Sequence, residues 1–243
     1  MIISKIDKYM FWNKVSVQKF WNEKSAKKED YYSFRHGKNI SKIISQNLQF
    51  KIKSAEIRVC DYGCGPGYLI DHLLKRNFQV YGIDFSEESV QLMNQRLANY
   101  SNFLGCSTLD NNEWKNLKFD IIIVSEVVEH LYDSDLRVLF ENISFLLADQ
   151  GKVIFTTPND EQLSKSIVYN QKLDKFVHKW QHVRSWTKNS FSGVLNLNGF
   201  EVVMAESIDF RYLFLPKLLQ LFFRVIFFKR LVFPNLFVIA RLK

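Results

Sequence analysis

The stretch Val59-Cys60-Asp61-Tyr62-Gly63-Cys64-Gly65-Pro66-Gly67 constrains this chain more than any other. Ile57 and Val59 lead into three glycines at alternate positions. A helix-like stretch over 68–76 follows, and a second strand-like run over 78–83 ends on Asp84. Strand, glycine turn, helix, strand and acid form the first unit of a nucleotide-binding α/β sheet. The glycines let backbone approach a ligand where a Cβ would collide. An acid at the end of the second strand is placed to accept hydrogen bonds from both hydroxyls of a ribose.

The spacing narrows the ligand. Gly63-x-Gly65-x-Gly67 is not the dinucleotide pattern G-x-G-x-x-G, and no Gly-Lys-Ser/Thr follows to make a P-loop. The string D-x-G-C-G-x-G, formed here by Asp61, Gly63, Cys64, Gly65 and Gly67, resembles motif I of class I S-adenosylmethionine (SAM) methyltransferases. In that family the loop wraps the amino-acid end of SAM and the second-strand acid, here Asp84, holds the ribose. The resemblance implies SAM as the cofactor and a seven-stranded, mostly parallel Rossmann-like sheet with helices on both faces. Phe85, next to Asp84, is either a stacking face for adenine or core packing.

Downstream segments extend the likeness over roughly residues 55–210. Phe119-Asp120 opens an apolar run typical of a strand buried on both faces, and Ser125-Glu126-Val127-Val128-Glu129-His130 ends it. This resembles the F-D-x-V…E-V-x-E-H segment of the ubiquinone-biosynthesis O-methyltransferase type, within the methyltransferase domain 23 group. Gly151 to Asn159 resembles the fifth-strand segment ending T-x-P-N, and Gly199-Phe200 the G-F that opens strand six. One departure concerns adenine: where the family has Gly-Asp after the third strand, this chain has Gly105-Cys106-Ser107, leaving Ser107 or a backbone carbonyl for that contact. Ser125 closes the cofactor set that the resemblance implies.

The strands are expected over 57–61, 79–84, 102–106, 119–124, 152–156, 199–204 and 235–241, with helices over 86–98, capped by Ser86, and over 133–148, stopped by Gly151. Residues 1–54 are basic with scattered aromatics and carry two amphipathic stretches, 15–24 and 39–50. The resemblance makes this region a helical lid on a methyltransferase domain over 55–243, with Arg35 paired to the SAM carboxylate or left on the surface.

Methyl transfer to a hydroxyl needs orientation and a base, which favours histidine. His130 follows the fourth strand at the edge where such sheets bind ligands. His178 and His182 lie between the fifth and sixth strands, where the family places acceptor contacts. His130 and His182 are the candidate bases, a hydrogen-bonding structural role being the alternative for His130. Four apart, His178 and His182 would face one metal if helical. Related sequences pair this stretch with two cysteines, but Asn170 and Leu173 stand at those places, so no structural metal is expected. Glu126 and Glu129 resemble a Mg²⁺ pair of quinone O-methyltransferases or are surface carboxylates.

The 243 residues suffice for one large α/β domain, and 47% hydrophobic against 24% charged residues reads as globular. Cys60, Cys64 and Cys106 form no C-x-x-C pair, which suits a reducing cytoplasm. Lys5 and Asp7 interrupt the start, unlike a signal peptide. A net charge of +8 admits an acidic partner. Nucleic acid is disfavoured: the N/D-P-P-Y/F tetrapeptide of amino-methylating enzymes is replaced by Ser125-Glu126-Val127-Val128. The segment 210–233 is apolar with Lys217, Arg224, Lys229 and Arg230, and no acid follows Asp209. It is expected to lie on an anionic membrane surface, or else to bury its apolar face against protein. The acceptor is then a small or lipid-linked metabolite such as a sugar, glycan or quinone precursor. A SAM-binding regulatory or scaffolding subunit without turnover is the alternative.

Overall fold

The computed structural model describes residues 12, 14–25, 28–47, 56–171, 175–212, 215, 216, 218, 219, 222 and 233–243. Its frame is a seven-stranded sheet in the order β3-β2-β1-β4-β5-β9-β8. The strands are β1 (Arg58–Tyr62), β2 (Gln79–Asp84), β3 (Phe103–Thr108), β4 (Phe119–Ser125), β5 (Leu147–Pro158), β8 (Phe200–Ile208) and β9 (Asn235–Leu242). β1 to β5 pair in parallel, and β9 runs antiparallel between β5 and β8.

Alternation along β4 shows why the sheet needs cover on both sides. Ile121 and Ile123 enter one core with residues of α2 (Tyr32–Asn47), α3 (Tyr68–Leu74) and α4 (Glu87–Leu97). Ile122 and Val124 enter a second core with α5 (Asp133–Leu146) and α6 (Lys188–Leu197). Ser86 caps α4 by accepting from the Ser89 N–H at 3.2 Å. Switching from β1 to β4 on one side and β2 on the other opens a crevice at the strands' carboxyl ends.

Several boundaries differ from the sequence reading. α1 (Lys14–Ser25) falls where expected, but α2 begins at Tyr32, so residues 32–36 are helical and not a connection. Ile40, Ile43 and Ile44 share a face of α2 that buries against α3, and this anchor draws the preceding turn into the helix. A hairpin of β6 (Ile167–Asn170) and β7 (Lys175–His178) stands between β5 and α6. Its four-residue strands are too short to produce a period. Among the described residues no helix is long and apolar enough to cross a membrane. The expectation for 210–233 rests largely on residues outside those described, including Lys217, Arg224, Lys229 and Arg230. Within it, Leu218 and Phe222 are exposed.

Candidate functional site

A cavity of about 830 Å³ lies at the carboxyl ends of β1, β2, β4 and β5. Trp12, Trp21, Tyr31 and Arg35 from the N-terminal region line it from above. Trp21 donates its indole N–H to Gln181 Oε1 at 2.9 Å and stands edge-on to the His130 ring at 5.2 Å. These contacts join the Trp21 helix to the loop after β7 and to the turn after β4.

The glycine turn forms one wall. Gly63, Gly65 and Gly67 all have positive φ, at 80°, 50° and 79°. A Cβ on Gly63 would sit 2.5 Å from Val127 Cγ2, and one on Gly65 would sit 3.1 Å from the Tyr31 ring. A side chain at Gly63 therefore fits only if Val127 moves, and one at Gly65 only if the Tyr31 ring gives by a few tenths of an ångström. Gly63→Ala is expected to cost more than the ~1–2 kcal/mol of left-handed strain alone. Gly199→Ala is the control, because φ is 86° there but a Cβ meets nothing within 4 Å. Thermal melts of both variants compare the two, and equal losses would remove the steric argument.

Asp84 closes this wall, 5% exposed. Its Oδ2 accepts from the Gly65 N–H at 2.7 Å and its Oδ1 from the Ser86 N–H at 2.9 Å. The Phe85 N–H also donates to this carboxylate, so three backbone N–H groups share its lone pairs with any ligand hydroxyl. Burial raises the Asp84 carboxyl, and the backbone donors pull it back. Asp61, also on the cavity, is pushed up to about 7 by burial and then by Asp84. Cys64 lines the same wall. Phe85 is 36% exposed at the cavity, which removes the core-packing alternative.

Two expected cofactor residues stand elsewhere. Gly67 is absent from the wall and makes room for Met93 Sδ. Ser107 is buried, and its hydroxyl takes the Tyr81 O–H at 2.9 Å. β3 continues to Thr108, so Ser107 lies within the strand, and Leu109 is the residue that reaches the cavity after it. Arg35 is exposed at the rim, near enough to Glu126 to lower its carboxyl.

The far wall holds titratable groups at the ends of β4 and β5. The Ser125 hydroxyl donates to Thr156 Oγ1 at 2.8 Å, which donates to Glu126 Oε1 at 3.0 Å. Burial pushes Glu126 up to about 8. Glu129 is 1% exposed; its Oε2 accepts from Thr157 Oγ1 at 2.9 Å, while its Oε1 has no partner. These are not surface carboxylates. His130 Nδ1 donates to the Gln181 carbonyl at 3.4 Å, leaving Nε2 as the lone-pair nitrogen, 3.8 Å from Glu129 Oε1. Burial, then the adjacent His182, lowers His130 to about 3.

His178 and His182 are not on a helix. A turn after β7, with Gln181 at φ 64°, stacks their rings 4.6 Å apart. His182 Nδ1 meets Glu161 Oε2 at 2.5 Å, and His178 Nε2 lies 3.4 Å from Glu161 Oε1. Burial would raise Glu161, but hydrogen bonds from His178 and His182 outweigh it and lower the carboxyl to about 2. Glu161 was not singled out from the sequence, although it follows the T-x-P-N segment by two residues.

Two groups bring metal-ligand atoms within 4.8 Å of one another, Glu161–His178–His182 and Glu129–His130–His182. In the first, His178 Nδ1 accepts from the His182 and Trp180 N–H groups at 3.0 and 3.3 Å, so Nε2 carries the proton and offers no lone pair. In the second, both Nδ1 atoms are held by acceptors, both Nε2 lone pairs are available and Glu129 Oε1 is orphaned. That set fits a divalent cation, a grouping that counting cysteines did not reveal.

The buried carboxyls set a pH dependence. Asp61 and Glu126 keep their protons in the folded state to about pH 7 and 8, whereas the unfolded chain releases them near 3.8 and 4.5. The stability this supplies is fully present below the ordinary values and is lost as pH rises through the folded ones. His130 acts oppositely, but only between about 3 and 6.5. The ligand-free melting temperature is expected to fall from pH 6.5 to 8.5, and less steeply in Glu126→Gln. Parallel slopes in the two melting series would contradict this.

A family model described as a methyltransferase domain matches residues 31–205. The ubiquinone biosynthesis O-methyltransferase of Homo sapiens is 28% identical over 162 residues, covering 60% of this chain and 42% of that protein. Its counterpart in Pelagibacter ubique is 27% identical over 155 residues, covering 60% and 63%. The chain thus spans about half the length of these curated relatives. The structure of Burkholderia thailandensis 1,6-didemethyltoxoflavin-N1-methyltransferase, with bound 1,6-didemethyltoxoflavin and S-adenosylhomocysteine, aligns at TM-score 0.64 and 14% identity over 93% of this chain and 87% of that one. At that identity the likeness concerns the fold.

Proposed function

This chain belongs to the methyltransferase-domain family, and from that premise we propose that it binds SAM and transfers the methyl group to a hydroxyl of a small or lipid-linked acceptor. One observation carries the reading. A single cavity is lined by the glycine turn with Asp84 and, beyond them, by His182 backed by Glu161. The Asp84 carboxylate at the cavity fits the ribose of SAM, and the glycine turn beside it fits the amino-acid end. SAM supplies the sulfonium methyl, which passes to the acceptor oxygen as the carbon–sulfur bond breaks and its electron pair stays on sulfur. His182 Nε2 takes the hydroxyl proton. The residues of 1–54 act as a lid over the domain of 55–243, with Trp21 and Tyr31 excluding water. A subunit without turnover has no use for an imidazole backed by a carboxylate.

Among acceptors, a quinone precursor carrying an apolar tail is favoured by the likeness to ubiquinone-biosynthesis enzymes and by the apolar, basic segment 210–233. That segment sets the enzyme on the cytoplasmic face of an anionic membrane. The protein is incubated with methyl-labelled SAM and dihydroxybenzenes with and without an alkyl chain, alongside sugars. Label is expected in an alkylated dihydroxybenzene; label in none of the hydroxyl compounds counts against the reading. Flotation with vesicles containing anionic lipid is expected to carry the chain upward at low salt, and Arg224→Glu with Lys229→Glu to abolish this. Flotation unchanged by the double variant would remove the membrane assignment.

A further inference from the structure

Glu161 faces two donors at once, and its chemistry is unusually determined by them. His178 is 4% exposed, and its Nδ1 receives two backbone N–H groups of its own turn. Its single imidazole proton therefore sits on Nε2, which lies 3.4 Å from Glu161 Oε1 in an ion-pair contact and has no other partner nearer than that, the contact falling short of hydrogen-bond geometry. His182 approaches Oε2 through Nδ1. Two N–H groups converging on one side chain need two acceptor atoms. A carboxylate supplies both, whereas glutamine would set an NH₂ donor against one of the two N–H groups.

We propose that Glu161, held by His178, is a positioning residue that keeps His182 as its Nδ1–H tautomer with the Nε2 lone pair turned into the cavity. The chain of fixation starts in the backbone. The turn after β7 directs the Trp180 and His182 N–H groups onto His178 Nδ1; this sets the His178 proton, which sets the Glu161 carboxylate, which sets the His182 proton. Free neutral imidazole does not hold this tautomer by itself, so the arrangement is built by the protein. The His130 ring stands edge-on to His182 at 4.9 Å and limits its rotation. This inference rests on the reading of His182 as proton acceptor but is measured separately from it.

The test uses the full chain with ¹⁵N-labelled histidine, a chelator present and pH above 8. Long-range ¹H–¹⁵N correlations are expected to show His182 protonated on Nδ1 and His178 on Nε2. In Glu161→Gln the His182 signal is expected to move toward the Nε2–H form, and kcat to fall about 10²-fold with SAM affinity unchanged. Glu161→Asp, which restores two acceptors, is expected to recover part of both. An Nε2-protonated His182 in the wild type overturns the proposal without any variant having to fold. So does a Glu161→Gln protein with unaltered tautomer and turnover. If instead the tautomers are as stated and His182→Gln keeps its turnover, the assignment of the base fails and the fixation of the ring stands.

Discussion

Asp84→Ala is expected to weaken SAM binding by about 2–4 kcal/mol, or roughly 30- to 1000-fold in Kd, if both ribose hydroxyls bond to the charged carboxylate. The geometry sharpens this expectation. Both Asp84 oxygens already accept backbone N–H groups, from Gly65 and Ser86. The carboxylate thus holds the glycine turn against β2 while it faces the cavity. Burial disfavours its charged form before any ligand arrives. Ionised Asp84 is therefore costly to the empty protein and useful to the complex. Calorimetry with SAM and S-adenosylhomocysteine measures the loss, and a thermal melt shows how much belongs to the turn. Wild-type affinity in the variant would detach Asp84 from the cofactor.

His182→Gln is expected to lower turnover by ~10²–10⁴ while SAM binding stays nearly unchanged. The same change at His130 is expected to cost less. The two imidazoles differ in what stands behind them: His182 Nδ1 meets a carboxylate at 2.5 Å, whereas His130 Nδ1 meets a neutral carbonyl at 3.4 Å. A carboxylate stabilises the imidazolium that forms as the proton is taken; a carbonyl does so less. Single-turnover rates at saturating SAM separate the variants. A larger loss at His130 would transfer the role to it.

The cofactor wall was legible because its chemistry is local. Gly63, Gly65 and Asp84 lie within one strand–turn–helix–strand unit and line one wall of the cavity, whereas Gly67 turns away toward Met93. Ser107 failed for a related reason: the strand runs to Thr108, and one extra pair of residues decides which side chains face the ligand. The acceptor wall was legible only in part. His130 and His182 could be named from their places along the chain. Glu161 could not, because its meaning comes from a turn some twenty residues later that brings two imidazoles to it. The same turn, rather than the helix that a four-residue spacing suggests, unites His178 with His182. Glu129 looked like a surface acid because sequence gives no account of the tertiary packing that buries it.

The last strand pair carries a consequence for how this protein can change. Ile208 stands opposite Asn235 at the end of the β8–β9 ladder. The two edges of the intervening segment are tied nearby: Asn39 donates to the Phe210 carbonyl at 2.7 Å and Asn159 to the Phe233 carbonyl at 2.9 Å. Whatever lies between is entered and left through one closed gate of the hairpin. Closing a longer loop costs only about 0.6 kcal/mol for each doubling of its length. Insertions, deletions and wholesale exchange at this point are therefore nearly free for the sheet, and this stretch can diverge while the cavity at the ends of the other strands stays as it is.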